Sequence, residues 1–109
     1  MIFDKYLNDT YLDILYSNYN LDYLKSIDSN NFVEIYNLLK NKGFYFIEDI
    51  IINYIEIFEL DKNTLDKVLT YLKTKAGPDY VKKIGKNMTI LDKIIDTCLN
   101  IELKEEDIY

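Results

Sequence analysis

Three sets of residues in this chain have the types and spacing to suggest chemistry. Asp61-Lys62-Asn63 opens like a calcium-binding loop. That loop needs oxygen ligands at alternate positions, glycine at its sixth position for a sharp turn and a bidentate glutamate at its twelfth. Counted from Asp61, the fifth position is Leu65, the sixth is Asp66 and the twelfth is Leu72. The chelating and turning positions are wrong, so Asp61 reads as a helix N-cap whose carboxylate accepts the orphan amides of a first turn.

Asp49, Asn53 and Glu56 recur at i, i+4 and i+7, which would place two carboxylates on one helix face for a metal ion or an acid/base pair. Metal sites in helical bundles normally add histidine and further acids from facing helices, and this chain has no histidine. The stripe therefore reads as a solvated face. Cys98 shares its helical face with Leu91, Ile94 and Ile95, which places it in the core, where a thiol is ordinarily inert. As the sole cysteine it allows no intrachain disulfide and suits a reducing compartment.

What is missing narrows the chemistry further. Without histidine there is no side chain titrating unperturbed near neutral pH and no base of the usual kind for a Ser or Cys nucleophile. Arginine is absent too, so anion recognition rests on lysine, backbone amides and helix ends, without the guanidinium fork that reads guanine, and specific major-groove reading is not expected. No catalytic set, metal site or cofactor is expected, and the chain is read as not an enzyme. Ile, Asn, Lys, Asp and Tyr are over-used while Arg, His and Trp are absent. That bias suggests A/T-rich coding, as in a low-G/C bacterium, its phage or a mobile element.

Two surface features remain. Residues 1–60 hold ten acids against four lysines, whereas Lys73, Lys75, Lys82, Lys83 and Lys86 form a basic island interrupted only by Asp79. Such an island beside a helix start can meet phosphates, although lysines without arginine or interleaved aromatics mark nucleic-acid binding weakly. Five of the 11 tyrosines fall within the first 23 residues. Tyrosine is amphipathic, loses little entropy when fixed and is enriched at interfaces. Tyr11 reads as core, and Tyr16, Tyr19 and Tyr23, around the polar break at residues 17–20, are the candidates for a protein-contact patch.

The elements that position these residues are read from hydrophobic period. Residues 46–60 are the densest apolar stretch, with a narrow polar stripe and apolar residues elsewhere around the circumference, the pattern of a helix covered on most sides. Four carboxylates within the run, each costing roughly 3 kcal/mol near a bilayer centre, exclude a membrane span. Phe3, Leu7, Tyr11, Ile14 and Leu15 trace a first helix from Asp4 to about Tyr16, and residues 21–27 a short second one. Asn31 and Glu34 have the form of a capping box for a helix that Gly43 closes. Phe44, Tyr45 and Phe46 are expected to pack as aromatics at the approach to the central helix. Leu65, Val68, Leu69 and Leu72 give the helix after Asp61 its core stripe, and Gly77-Pro78 ends it. A short helix closes at Gly85, and Thr89 with Asp92 starts the last long one.

The reading is an all-α, compact single-domain bundle. Four to five main helices surround a central apolar helix at about 46–60, with one or two short connecting helices. Residues 1–101 form the domain and 102–109 an acidic tail. The first residues lack a basic stretch followed by an apolar one, so no signal peptide is expected and the location is cytoplasmic. With a net charge of -6 and abundant apolar helix surface, the expected function is non-enzymatic binding of another protein, of the inhibitor, antitoxin, immunity or adaptor type. A central helix apolar nearly all round also suggests a homodimer. The alternative is a nucleic-acid-associated regulator contacting phosphates through the lysine island, with no membrane partner in either case.

Overall fold

Residues 1–107 of the computed structural model are described, and they fold as helices joined by short turns, with no strand among them. A 3-10 turn, Ile2–Lys5, buries Phe3. Asn8 then caps α1 (Asp9–Asn18), its Oδ1 accepting the Tyr11 amide at 2.9 Å. The first helix thus begins five residues later than its apolar period suggests, because the Asn8 side chain takes over a first-turn amide and its own backbone is extended. Asn20 caps α2 (Leu21–Ser26). Asp28 caps α3 (Ser29–Asn41) by accepting the Asn31 amide at 2.9 Å. Asn31 is therefore inside the helix, and the capping box read at Asn31 and Glu34 is corrected to the aspartate three residues earlier. Past α3, Gly43 takes φ +92°, a conformation other residues adopt only at a cost.

The apolar hub is two pieces: α4 (Ile47–Asn53) and a 3-10 turn, Ile55–Glu59, separated at Tyr54 with φ −138° and ψ 48°. The single helix expected over 46–60 is corrected on this point. In one straight helix Ile50, Ile51, Ile52, Ile55, Ile57 and Phe58 would point to nearly every side. Broken at Tyr54, all of them are at most 5% exposed in one contiguous core. Isoleucine is a mediocre helix former, so the break costs little propensity.

What the break does cost is backbone hydrogen bonds, and side chains from other helices restore them. Asn18 Nδ2 donates to the Ile52 carbonyl at 2.7 Å, and the Ile55 amide donates to the Tyr19 hydroxyl at 3.3 Å. Asn31 Nδ2 donates to the Phe58 and Leu60 carbonyls at 2.7 and 3.0 Å. Among the described residues no buried side-chain nitrogen or oxygen lacks a partner. α1 packs on α4, and α3 packs on the Ile55–Glu59 turn, where the Phe32 and Phe58 rings stack at 4.7 Å.

The second half is more regular. Asp61 caps α5 (Lys62–Ala76), its Oδ2 accepting from the Thr64 amide at 3.0 Å and the Thr64 hydroxyl at 3.1 Å. Gly77 ends α5 with φ +97°. α6 (Tyr80–Lys86) is short and gives way at Asn87, so Gly85 lies within it instead of closing it. A Cβ at Gly85 would sit 2.8 Å from the Tyr45 hydroxyl and 3.0 Å from the Phe46 ring. Glycine there permits close packing against the aromatic approach to α4, where the Phe44 and Phe46 rings also meet at 5.5 Å. α7 (Ile90–Asp107) packs along α5. Residues 102–107, expected as a tail, continue α7, and residues 108–109 lie outside the described residues. The four long helices among the described residues are thus α1, α3, α5 and α7. No described helix is long and apolar enough to cross a membrane.

Candidate interaction surface

Tyr19 and Tyr23 lie together, ring centroids 6.1 Å apart, and both are half-buried. Tyr19 closes the broken hub by accepting the Ile55 amide. The Tyr23 hydroxyl donates to Glu59 at 2.5 Å, and burial followed by that carboxylate pushes its pKa up. Tyr16 is exposed and turns toward Asp4, its hydroxyl 3.4 Å from Oδ1. All three tyrosines singled out from sequence engage their hydroxyls within the chain; the ring of Tyr16 is exposed and those of Tyr19 and Tyr23 are half-buried.

The lysine island divides between two helices. Lys73 and Lys75 occupy the last turn of α5, and Lys82, Lys83 and Lys86 lie on α6. Lys83 has a structural task, donating to the Ala76 carbonyl at 2.6 Å at the end of α5 and lying 3.5 Å from Asp79. Lys75 sits over the Tyr71 ring, 5.6 Å from its centroid, a favourable cation–π distance. Lys73, Lys82 and Lys86 are exposed.

Cys98 is fully buried, and burial, with Glu102 nearby, raises its thiol pKa to about 11. A protonated, covered thiol is a packing group. Asn53 and Glu56 are exposed and Asp49 is half-buried. The break at Tyr54 takes Glu56 off the helix that carries Asp49 and Asn53, so these residues do not form one continuous helical stripe.

One surface is not singled out by the sequence. Along the outer side of the α5/α7 pair runs a shallow groove lined by Val68, Tyr71, Leu72, Ile90, Ile94 and Ile101, with Thr97 between them. Its lining is apolar almost throughout, and Tyr71 is 62% exposed. Lys67 and Lys93 stand at its edges. The apolar face of α7 is wide, Ile90, Leu91, Ile94, Ile95, Cys98 and Ile101, because it meets both α5 and the Ile55–Glu59 turn, so its width alone does not reveal the groove. The chain matches no protein-family model, no curated protein and no solved structure at a significant level.

Proposed function

We propose that this chain is a non-enzymatic, cytoplasmic helical protein that acts by docking onto another protein. The observation that carries this reading is the contrast between an apolar hub closed within one chain and an apolar groove left open between α5 and α7. The groove's apolar lining is half-buried at Val68, Leu72, Ile90 and Ile101, buried at Ile94 and exposed at Tyr71, and concave, mostly apolar clefts are the usual form of binding sites. The hub that prompted the homodimer expectation is covered within a single chain, so it provides no surface for a second copy. The absence of His and Arg and the buried, protonated Cys98 support a binding role over a catalytic one.

The competing reading, phosphate contact through the lysine island, draws support from seven lysines against three acids over residues 61–86. One experiment separates the two. The full chain, immobilised, is used to capture partners from native extract with and without nuclease, at two salt concentrations. A stoichiometric protein partner that survives nuclease and tolerates a doubling of salt supports docking. Nuclease-sensitive capture that falls steeply with salt would replace it with nucleic-acid binding.

A further inference from the structure

We infer that the α5/α7 groove seats an acidic amphipathic helix of another protein, about three turns long. The inference rests on the protein-docking reading above and specifies the partner's chemistry. Length comes first. The groove runs from Leu72 and Ile90 at one end to Lys67 and Ile101 at the other, because α5 and α7 lie antiparallel. The eleven-residue step from Ile90 to Ile101 corresponds to roughly 16 Å of helix axis, about three turns. An apolar trough between two helices is the shape that receives the apolar stripe of a third, read as anchors at i, i+3, i+4 and i+7.

Charge then chooses the occupant. Lys67 and Lys93 rim the groove, and Lys75 is held over Tyr71 beside it. The acid on α5 that could neutralise them, Asp66, is already paired with Lys42 of α3 at 2.7 Å. Among the described residues no ion pair engages Lys67, Lys75 or Lys93. Asp92 and Asp96 lie on α7 away from the groove lining. An incoming helix with Asp or Glu flanking its apolar stripe meets these three ammonium groups at the rim of an apolar trough. Screening confines the wider field of the acidic chain to about 10 Å at 0.1 M salt, so these local lysines dominate the encounter.

A second copy fits poorly. Two-fold packing of groove on groove would set the lysine rim of one copy, Lys67, Lys75 and Lys93, facing the lysine rim of the other, a like-charge arrangement that costs affinity.

The test uses the full chain and helix-stapled twelve-residue peptides carrying a leucine stripe flanked by glutamate, the same stripe flanked by lysine, and a scrambled glutamate version, titrated at about 0.1 M salt, where the chain's wider field is screened. The glutamate-flanked helix is expected to bind at least tenfold more tightly than the lysine-flanked one and the scrambled one. Tyr71→Ser and Thr97→Glu, both at solvent-facing positions, should each weaken it at least tenfold while leaving the thermal midpoint unchanged. K67E/K93E should invert the peptide preference. Absence of binding by the glutamate-flanked helix, equal binding of both charge types, or indifference to the groove variants would overturn the inference. So would competition at the groove by duplex DNA or anionic phosphatidylserine vesicles, or self-association of the unliganded chain abolished by the same variants. If native-extract capture of a protein persists in Tyr71→Ser and Thr97→Glu, the docking reading stands and the groove assignment falls. If no protein is captured while the peptide binds as described, the docking reading is the one that fails.

Discussion

The hub and the α5/α7 face are built from the same apolar residue types, yet one is sealed and the other lies open. The hub is irregular: a seven-residue helix, a break at Tyr54 and a 3-10 turn. Irregular backbone leaves amides and carbonyls that must find partners once buried, and Asn18, Tyr19 and Asn31 supply them from α1, its C-terminal edge and α3. Those helices therefore close over the hub as a condition of its stability. α5 and α7 are long and regular, so their backbone is satisfied internally. α5 packs on α3, α6 and α7, and α7 on α5 and the Ile55–Glu59 turn, which leaves the outer edge of the pair, at Val68, Tyr71 and Thr97, as a shallow groove. Regular backbone thus places no demand on the apolar edge beside it, while broken backbone ties up the surfaces around it.

The largest expected effect tests the sealed side. Phe58 is fully buried and stacked on Phe32, so Phe58→Ala should cost about 3–5 kcal/mol, a large share of the roughly 5–15 kcal/mol a domain commands. Chemical denaturation measures it. A loss under about 1 kcal/mol, far below that of a packed aromatic, would mean the hub is loosely covered.

Next comes the polar stapling of the break. Asn31→Ala leaves the Phe58 and Leu60 carbonyls without their donor and should cost about 1–3 kcal/mol. An exposed change such as Lys73→Ala should stay within about 0.5 kcal/mol. Equal effects at the two sites would remove the idea that Asn31 compensates the break.

Alkaline pH probes the buried face of α7. The folded Cys98 thiol, with its pKa raised to about 11 from 9.0, holds its proton more tightly than the unfolded thiol. The unfolded chain deprotonates first, so stability falls as pH rises from 9 through 11. Tyr19, Tyr23 and Tyr80, also raised by burial, add to the same limb. Replacing Cys98 by alanine should remove the thiol's part of this loss and leave the tyrosines' part. In the native protein Cys98 should also resist thiol reagents under mildly alkaline conditions and react only on unfolding. Rapid labelling of the folded chain would contradict its burial.

The smallest effect lies at the Lys42–Asp66 pair joining the end of α3 to α5. Lys42 holds the Asp66 carboxyl below its ordinary range, first through its hydrogen bond and then through its charge. A depressed carboxyl contributes stability above its unfolded pKa and loses it as pH falls through the folded value. Lys42→Ala should therefore flatten the acid limb of the stability curve below about pH 4 and cost about 1 kcal/mol at neutral pH, the upper end for surface pairs, because Lys42 is half-buried. An unchanged acid limb would show the pair to be inconsequential.

Much of the fold is legible in the sequence because local rules and tertiary packing agree in the second half. Asp61 caps, Gly77 stops and Leu65 and Leu69 are buried as their spacing indicates. The hub reads as one helix because periodicity reports which residues are apolar and is silent on where a chain will break. The compensating donors, Asn18 and Asn31, lie 34 and 27 residues away from the carbonyls they reach. Tyr19 and Tyr23 are legible as amphipathic, but their partners Ile55 and Glu59 are each 36 residues distant. The groove stays hidden in the sequence because Val68, Leu72 and Ile94 read as core, and only the pairing of α5 with α7 shows which edge of that stripe remains open.

The contrast between sealed hub and open groove is tested most directly by methyl NMR of the isoleucine, leucine and valine side chains during titration with the glutamate-flanked helix. Shifts are expected at Val68, Leu72, Ile90, Ile94 and Ile101 and none at Ile50, Ile51, Ile55 or Ile57. Shifts centred on the hub isoleucines, with the α5/α7 methyls unmoved, would contradict it.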